Sequence, residues 1–547
     1  MKKYSLGLDF GTLSVRAVII DTKSGKELAS AVSEYEHGII STKFLDGTTL
    51  PADFALQHPQ DYINSMCEVI SGAINGANID PCEILGVGVD FTASTVLPVD
   101  ASGTPLCFKA EFENEPHAYA KLWKHHAAER EAQEINELAR RRDEKWLKKY
   151  GGTVSSEWLL PKLLETKRHA PRVYENMTRF IEAGDFIVWL LTGKETHSVC
   201  QAGFKACWDE QDGYPSKEFL AALEPGFEKA IGTLVGTDII KLSSVAGYVS
   251  ERGAEMTALA VGTPVAPAFI DAHAALPALG ITSPGDMLMI IGTSSCHILL
   301  GDKKVSVPGI SGCVKDGIVD GLYAFEAGQA SVGDSFEWFI KNCVPASYTD
   351  EAEAEGLSIH ELLTKKAEKL TPGANGVMAL DWFNGNRTPY VNGALSGVLV
   401  GLNLNTRPEE IYRALIEATA YGAKRIVDIY EENGIEIKRI YAAGGIAEKN
   451  GLLMQIYSDV LGREITISAT SQACAYGTCV LAATVGGAYA SLNEAAESLK
   501  QISDKTYKPS LERTEAYAHL YREYVELCEF FANSKNKTMS VLKGEKS

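Results

Sequence analysis

Two short segments of the sequence suit phosphate binding, because each places a glycine and small hydroxyl residues between two apolar runs. They are Gly11-Thr12-Leu13-Ser14, which follows Asp9, and Gly292-Thr293-Ser294-Ser295. In such a turn the backbone N–H groups can approach phosphate oxygens, and an acid at the preceding strand end can hold Mg²⁺ through water. One copy alone is also explained as an ordinary hairpin turn. The second copy favours a pair of phosphate clamps.

A third glycine-rich segment occurs later in the chain. Gly444-Gly445 follows the apolar run 437–443 and precedes a predicted helix near Asn450. A glycine pair at the start of a helix lets the backbone approach a ribose or a phosphate, and the helix dipole favours negative charge there. Strand-to-helix turns of this kind often bind no ligand, so this segment alone is weak evidence for nucleotide binding. Asn450 is a weaker candidate than the two glycines.

Asp271 has the sequence position that best suits a general base. It follows the apolar run 265–270 and precedes small residues, which predicts a carboxylate at the end of a buried strand. Transfer of a phosphoryl group to an alcohol needs a base that orients and deprotonates the hydroxyl group. An N-cap for a helix that begins at Ala272 explains the same residue equally well. The residues alone leave both interpretations open.

Several polar and aromatic residues have unusually apolar neighbours. Lys205 follows Phe204 directly, and a buried ammonium group needs either a salt bridge or a polar ligand. Glu326 presents the same two alternatives. Trp123 is predicted to lie on a helix, where packing is an alternative to contact with a ligand. The pair His125-His126 is predicted to lie on a solvated face of the same helix, not to bind a metal, because adjacent residues of a helix point apart.

The elements that must position these residues follow from the apolar patterns. Residues 3–21 and 287–300 each predict a β-hairpin around one of the two phosphate-like turns, spaced by about half the chain. Between and after them, the sequence predicts buried strands at 84–89 and 437–443 and helices at 118–149, 156–168 and 409–433. This alternation predicts an α/β architecture with a mixed sheet in each half. We place the domains at 1–275 and 276–547, and we expect the polar, Lys-rich tail from about 534 to fray.

The composition limits the classes of function. The chain has 547 residues, with 52 Lys+Arg and 71 Asp+Glu and a formal net charge of −19, which argues against a nucleic-acid groove or an anionic-membrane surface. The 11 cysteines include no CxxC pair, and the first residues do not resemble a signal peptide, so we expect a cytoplasmic protein with free thiols. The uncharged stretch 465–493 contains polar residues and glycines, and it predicts a buried strand and helix, not a membrane span.

Three segments occur in the order that is typical of one superfamily. Leu8-Asp9-Phe10-Gly11-Thr12, Gly292-Thr293-Ser294-Ser295 and Ala443-Gly444-Gly445-Ile446 resemble the two phosphate segments and the adenosine segment of the actin-like ATPase and sugar-kinase superfamily. Residues 397–417 resemble the carboxy-terminal signature of the FGGY carbohydrate kinases, and 158–162 loosely resemble their amino-terminal signature. The resemblance implies an α/β fold of two ribonuclease H-like (actin-like ATPase) domains, whose mixed sheets flank a central cleft.

Further segments resemble the members of that family that phosphorylate L-ribulose. They are distributed between about residues 5 and 490 and are Gly88-Val89-Asp90-Phe91-Thr92-Ala93-Ser94-Thr95, Lys121-Leu122-Trp123-Lys124-His125-His126-Ala127-Ala128, Gln201-Ala202-Gly203-Phe204-Lys205-Ala206, Phe269-Ile270-Asp271-Ala272-His273-Ala274, Phe325-Glu326-Ala327-Gly328-Gln329 and Asp381-Trp382-Phe383-Asn384-Gly385-Asn386-Arg387. The implied reaction is transfer of the γ-phosphoryl group of MgATP to the terminal primary hydroxyl group of L-ribulose, which gives L-ribulose 5-phosphate.

The resemblance also implies roles for individual residues. Asp271 corresponds to the catalytic aspartate of the family and Asp9 lies on the metal side. The expected sugar contacts are the backbone near Ala93 and the side chains of Trp123, Lys205 and Glu326. ATP is expected at the remaining candidate residues, which are Gly11, Thr12, Ser14, Gly292, Thr293, Ser294, Gly444, Gly445 and Asn450.

Alternative functions and assemblies remain at this point. A kinase for another pentulose or a polyol differs from an L-ribulose kinase only in how one hydroxyl group is recognised. A nucleotide-switched chaperone or filament protein of the same superfamily would need a peptide-binding β-domain or would have no use for the surroundings of Asp271, Lys205 and Glu326. The expected partners are a sugar and a nucleotide, with neither nucleic acid nor membrane, and a homodimer is left open.

Overall fold

The computed structural model describes residues 3–533 and 538–542, and the hairpin that carries Asp9 lies at the centre of its first sheet. The strands are β1 (Tyr4–Phe10), β2 (Ser14–Asp21), β3 (Glu27–Glu34), β4 (Leu56–Gln57), β5 (Ile84–Phe91), β6 (Val96–Val99), β7 (Ala120–Lys121), β8 (Arg179–Glu182), β9 (His197–Ser198), β10 (Ile239–Ile240), β11 (Gly247–Tyr248), β12 (Pro264–Val265), β13 (Phe269–Ile270), β14 (Asp286–Ile291), β15 (Ser295–Gly301), β16 (Gly312–Lys315), β17 (Tyr323–Gln329), β18 (Met378–Leu380), β19 (Val398–Val400), β20 (Arg439–Ala443), β21 (Ile465–Ser468) and β22 (Ile502–Tyr507).

Helices cover these sheets and connect their strands. The α-helices are α1 (Pro59–Ala77), α2 (Glu129–Arg141), α3 (Lys145–Lys148), α4 (Leu159–His169), α5 (Pro171–Asn176), α6 (Ala183–Thr192), α7 (Val199–Lys205), α8 (Lys217–Leu223), α9 (Ala230–Thr233), α10 (Glu251–Thr257), α11 (Asp271–Ala278), α12 (Gly333–Cys343), α13 (Ala346–Glu355), α14 (Ile359–Ala367), α15 (Pro408–Glu432), α16 (Gly445–Lys449), α17 (Gly451–Leu461), α18 (Ala473–Val485), α19 (Leu492–Leu499), α20 (Leu511–Ala532) and α21 (Thr538–Leu542). Short 3₁₀ helices lie at Pro81–Glu83, Leu106–Phe108, Pro116–Ala118, Phe227–Lys229 and Ala374–Gly376.

The two large sheets repeat one plan. In the first, β1 pairs with β2 in antiparallel fashion and with β5 in parallel, and β12 and β13 pair with β5 in parallel. In the second, β14 pairs with β15 in antiparallel fashion and with β20 in parallel, and β21 extends the parallel side. Both predicted hairpins therefore occur, and each is followed in its sheet by parallel strands. The mixed sheets agree with the α/β architecture expected from the sequence.

Helices α11 and α18 lie between the two sheets, where residues of both sheets form one hydrophobic core. The helix α18 comes from late in the chain but packs on β1 and β5 of the first sheet. A Cβ atom at Gly88 of β5 would lie 2.3 Å from the carbonyl oxygen of Thr478 in α18, and one at Gly477 would lie 1.7 Å from that of Ala274 in α11. Glycine is therefore required at both contacts. The domain boundary at 275/276 stays a prediction.

A small four-stranded sheet, in the order β4-β7-β6-β8, carries the segment around Trp123. The helix predicted over 118–149 is wrong in its first part, because α2 begins only at Glu129 and residues 120–121 form β7. Tyr119, Ala120 and Leu122 are buried in this part of the protein. Their spacing imitated a helical stripe, and Trp123 lies in a turn, not on a helix.

The carboxy-terminal region contains the helix α20, which packs on the rest of the protein. After residue 533, only residues 538–542 are described. In α20, the hydroxyl group of Tyr524 donates a hydrogen bond to Asp381 at 2.6 Å. The expected fraying tail falls partly at 534–537 and 543–547, which lie outside the described residues. Within α21, the sulfur of Met539 accepts a hydrogen bond from the backbone N–H of Ser396. Among the described helices, none combines the length and the apolar character needed to cross a membrane.

We predict that Gly88→Ala lowers the free energy of unfolding by about 2 kcal/mol, because the new methyl group must push α18 away from β5. Urea denaturation measures the change. The matched control is Gly393→Ala, since a Cβ atom there would meet no atom within 4 Å. Equal stability of the two variants would contradict the close packing of α18.

Candidate active site

Three carboxyl groups meet at the carboxyl ends of neighbouring parallel strands. Asp9 of β1 is the register partner of Asp90 of β5, so their side chains leave the sheet on the same side. Asp271 directly follows β13, in which Phe269 pairs with Asp90. In α/β sheets this edge is where ligands bind. The structure therefore brings two predicted site residues together with Asp90, which the sequence analysis did not identify.

A signal for Asp90 was present in the sequence. The segment Gly88-Val89-Asp90-Phe91 has the same pattern as Gly7-Leu8-Asp9-Phe10, and both segments are strands that end beside the site. The hydroxyl group of Thr478 donates to Oδ2 of Asp90 at 2.5 Å, while Oδ1 is buried and has no hydrogen-bond partner among the described residues. Asp90 is the register partner of Asp9, so this unpartnered oxygen belongs to a carboxyl group that could accept a donor or bind a cation together with Asp9.

Burial and mutual repulsion make these acids reluctant to ionise together. Burial raises the pKa of Asp90 well above its ordinary value, and the negative charge of Asp9 raises it further. Burial also raises the pKa of Asp9, although its interactions with Asp90 and Arg16 act in the opposite direction. The pair thus holds a proton more tightly than two isolated carboxyl groups would. A bound cation would displace this proton from the pair of carboxyl groups.

Asp271 both starts a helix and faces the site. Its Oδ1 accepts a hydrogen bond from the backbone N–H of Ala272 at 2.7 Å, but α11 begins at Asp271 itself with Ile270 in the N-cap position, so the N-cap interpretation is wrong. Burial raises the pKa of Asp271 to about 7, and the charges of Asp9 and Glu326 act in the same direction, whereas Lys205 lowers it. A carboxyl group with this pKa exchanges its proton near neutral pH, as a general base requires.

The two phosphate-like turns have similar but unequal geometry. The N–H of Gly11 donates to the carbonyl oxygen of Ser14, and that of Gly292 donates to the carbonyl oxygen of Ser294, both at 2.9 Å. Neither glycine has a positive φ, and a Cβ atom at either would meet no atom closer than 3.4 Å. The protein itself therefore does not need glycine there. The open space in front of the backbone suits a ligand that approaches closely.

Unused backbone donors line both turns. Within residues 3–533 and 538–542, the N–H groups of Thr12, Leu13, Thr293 and Ser294 have no hydrogen-bond acceptor. Successive free N–H groups form an anion-binding concavity. The two turns can therefore bind phosphate oxygens without a basic side chain.

The sugar candidates adjoin the first turn. The indole N–H of Trp123 donates to Oγ1 of Thr12 at 3.1 Å, which joins a predicted sugar contact directly to a phosphate turn. Ala93 follows β5, and both Ala93 and Ala272, the residue after Asp271, pack on the core between the sheets. Trp123 approaches the first phosphate-like turn from a turn, not from a helix.

Lys205 and Glu326 form an ion pair that links the two halves of the chain. Nζ of Lys205 lies 2.6 Å from Oε1 of Glu326, and Nε2 of His273 lies 3.0 Å from Oε2. Burial acts to raise the pKa of Glu326, but Lys205 and His273 lower it to about 2. Of the two alternatives from the sequence, the salt bridge is present in the structure. A role for both side chains as sugar contacts stays a prediction.

The adenosine candidates show different constraints. Gly444 has φ = +99°, and a Cβ atom there would lie 2.5 Å from the carbonyl oxygen of Ile291, so this glycine is required by the protein. At Gly445 a Cβ atom would meet nothing within 4 Å, which leaves open space. The side-chain oxygen of Asn450 caps α17 by accepting from the N–H of Leu453 at 3.0 Å. Of these three residues, Gly445 leaves the most space for a ligand to approach the backbone.

The prediction of a solvated face for the histidine pair is wrong for His125. Its ring is fully buried, its Nδ1 accepts from the N–H of Ala55 at 3.2 Å, and its Nε2 lies 3.2 Å from Glu165. Because this segment is a turn and not a helix, adjacent side chains do not follow helical geometry. His126 is half-exposed and lies beside Ser156.

Comparison with known proteins identifies the family of the chain. The profile of the FGGY family of carbohydrate kinases, N-terminal domain, matches residues 4–278, and the profile of its C-terminal domain matches residues 287–485. The chain is 47% identical over 529 residues to the ribulokinase of Bacillus licheniformis, with 96% of each chain covered. It is 45% identical over 547 residues to the ribulokinase of Geobacillus thermodenitrificans, with 99% of this chain and 97% of the relative covered.

A solved structure has the same fold. The xylulose kinase from Rhodospirillum rubrum aligns with a TM-score of 0.80 at 23% identity, covering 97% of this chain and 99% of that one. The likeness confirms the expected fold class.

We predict that Lys205→Met lowers the free energy of unfolding by about 3 kcal/mol, because it leaves the buried carboxylate of Glu326 without its ammonium partner. Adding Glu326→Gln to that variant is expected to restore part of the loss, since no unpaired charge then remains. Urea denaturation of the two single variants and the double variant measures the coupling. The control is Lys365→Met, which breaks an exposed ion pair with Glu355 and is expected to change stability by less than about 1 kcal/mol. Strictly additive effects of the two substitutions would contradict the ion pair.

Proposed function

Because the chain belongs to the FGGY family of carbohydrate kinases, we propose that it transfers the γ-phosphoryl group of ATP to the terminal primary hydroxyl group of L-ribulose, giving L-ribulose 5-phosphate and ADP. The relatives named ribulokinase, matched over nearly their whole length, support this choice of sugar. The observation that carries the proposal is the position of Asp271, a carboxyl group with a pKa of about 7 that feels the charges of Asp9, Glu326 and Lys205.

Asp271 is the general base. Its carboxylate accepts the proton of the sugar hydroxyl group as the hydroxyl oxygen forms a bond to the γ-phosphorus and the bond from that phosphorus to the bridging oxygen of ADP breaks. The hydrogen bond from Ala272 keeps one carboxylate oxygen oriented, which leaves the other for the sugar. Because phosphoryl transfer needs little covalent participation by the protein, this orientation and the exclusion of water are the main contributions.

The sugar contacts an aromatic side chain, backbone polar groups and a buried ion pair. The indole of Trp123 provides an aromatic contact, and the backbone near Ala93 provides polar groups. Lys205 and Glu326 already pair with each other, so each retains capacity for one more contact with a hydroxyl group of the ketopentose. A pair that is fixed before the sugar arrives needs no reordering on binding.

The nucleotide is bound mainly by backbone. The free N–H groups of the turns at 11–14 and 292–295 bind the phosphates, and the open surface at Gly445 accepts the adenosine part. Asn450 contributes through the start of α17, which it caps. This mode of binding is consistent with the net charge of −19, because it recruits no basic surface.

Mg²⁺ fits the donor set beside the first turn. Hard divalent cations prefer oxygen ligands, and Asp9 and Asp90 offer carboxyl oxygens of which one is buried without a partner. When bound, the ion neutralises charge on the phosphates of ATP. Asp9 and Asp90 would hold it, directly or through water.

Two further expectations belong to the proposal. A cytoplasmic location follows from the family's metabolic role and from the free cysteines. We also propose that the protein assembles as a homodimer. Light scattering of the purified protein tests this by measuring the mass of the assembly.

We predict that purified protein with MgATP releases ADP with the highest kcat/KM for L-ribulose among L- and D-ketopentoses, aldopentoses and polyols. Asp271→Asn is expected to lower kcat between about 100-fold and 10,000-fold, because an amide cannot accept the proton. Asp100→Asn is the matched control, since Asp100 caps an exposed turn. A lack of sugar-dependent ADP release would overturn the kinase, whereas full activity of the Asp271 variant would overturn only the base.

We predict that kcat/KM for L-ribulose rises tenfold per pH unit below about pH 7 and levels off above it. The base must be ionised, and the pKa of Asp271 is raised from 3.8 to about 7, so activity falls as pH falls through 7. Steady-state assays between pH 5 and 9 measure this limb. An acid limb near pH 4 instead would show that Asp271 has an ordinary pKa or is not the base.

A further inference from the structure

One buried ammonium group holds two loops of the sugar pocket. Lys162 lies on α4 and is fully buried. Its Nζ donates to the carbonyl oxygen of Ser94 at 2.7 Å and to that of Leu122 at 2.8 Å. Ser94 follows Ala93, and Leu122 precedes Trp123, so each carbonyl belongs to the residue next to a proposed sugar contact.

The two loops come from different parts of the small sheet and have their own constraints. Ser94 has φ = +58°, an unfavourable conformation for a serine, which places the peptide after Ala93 in an unusual direction. Leu122 follows β7, and the next residue, Trp123, reaches across to Thr12 in the phosphate turn. The distance between the Ala93 backbone and the Trp123 indole therefore depends on what holds Ser94 and Leu122.

A comparison with a neighbouring lysine separates this role from simple core pairing. Lys121 is also fully buried, but its Nζ is neutralised by Glu165 at 2.6 Å and bonds to Thr166, both on α4. The hydrogen bonds of Lys162 instead both go to the loop carbonyls. Burying a charge for two carbonyl groups is costly compared with an apolar side chain of equal length. This unfavourable burial is consistent with a lysine whose role is to position the two carbonyl groups.

No carboxylate forms a hydrogen bond or ion pair with Lys162 among the described residues, and Glu182 is the acid with the largest electrostatic effect on it. Glu182, at the end of β8, opposes the effect of burial on the pKa of Lys162, but both of its oxygens lack a hydrogen-bond partner among the described residues. Burial raises the pKa of Glu182 to about 8, so this carboxyl group competes little with the carbonyl groups of Ser94 and Leu122 for the ammonium group.

We propose that Lys162 is a positioning residue for sugar recognition: it sets the separation between the Ala93 backbone and the Trp123 indole by holding the carbonyl groups of Ser94 and Leu122. Lys162 does not touch the substrate. The inference rests on the proposed function of the same pocket, and it predicts an effect on the sugar that is separate from the effect on ATP.

The test is Lys162→Met, which keeps the length of the side chain and removes its donors. We expect the KM for L-ribulose to rise at least tenfold while the KM for ATP stays within twofold of wild type. The matched control is Lys149→Met, because Lys149 is a buried lysine whose Nζ bonds to the carbonyl of Trp208 and lies 3.8 Å from Asp209. An unchanged KM for L-ribulose in the Lys162 variant, or an equal rise in the control, would overturn the proposal.

A measurement without substrate keeps the two proposals separate. Amide hydrogen exchange in the free protein is expected to be faster in Lys162→Met than in wild type at 92–95 and 121–124, and unchanged in Lys149→Met. Equal exchange in wild type and Lys162→Met would overturn the positioning role even if the wild type phosphorylated no sugar. If Lys162→Met does not fold, Lys162→Gln, whose amide can reach at most one carbonyl, is judged by the same criteria.

Discussion

The repulsion among three carboxyl groups is the constraint on which the site depends. Asp9, Asp90 and Asp271 stand at the ends of adjacent parallel strands, and ladder hydrogen bonds keep those strands in register whatever the charge on the side chains. The hydroxyl group of Thr478 in α18 donates a hydrogen bond to one oxygen of Asp90 and so fixes its position. The fold thus holds negative charge in one place, and a proton or a bound cation relieves the repulsion. A site of this kind favours a nucleotide that arrives with its metal ion over the free polyanion.

A second electrostatic contact, which is attractive, joins the two halves of the chain. Lys205 comes from the first half and Glu326 from the second, and their ion pair is buried. Because unpaired buried charges are unfavourable, opening of the cleft at this point must either keep the pair together or let water reach both groups. The two halves therefore already attract each other at this contact.

Local patterns in the sequence predicted much of the fold and some of the site, and long-range contacts account for the rest. The hairpins and the place of Asp271 after a strand follow from apolar runs and turn residues, which are local. Asp90 was missed because its partner Thr478 lies far away in the chain, although the repeated pattern around Asp9 pointed to it. His125 was misplaced because buried residues of a short strand imitated a helical stripe. The acceptors of Lys162 on two separate loops cannot be inferred from spacing at all.

The position of α18 has a consequence for how the protein is made. The first sheet is assembled from residues before 271, but the helix that covers β1 and β5 is formed by residues 473–485. A ribosome therefore releases a complete first sheet long before it synthesises the helix that shields it, and the nascent chain must carry that apolar surface exposed for some 200 residues of translation. The order of synthesis and the order of packing are opposed. The amino-terminal half of the chain alone therefore lacks the helix that covers this face of its own sheet.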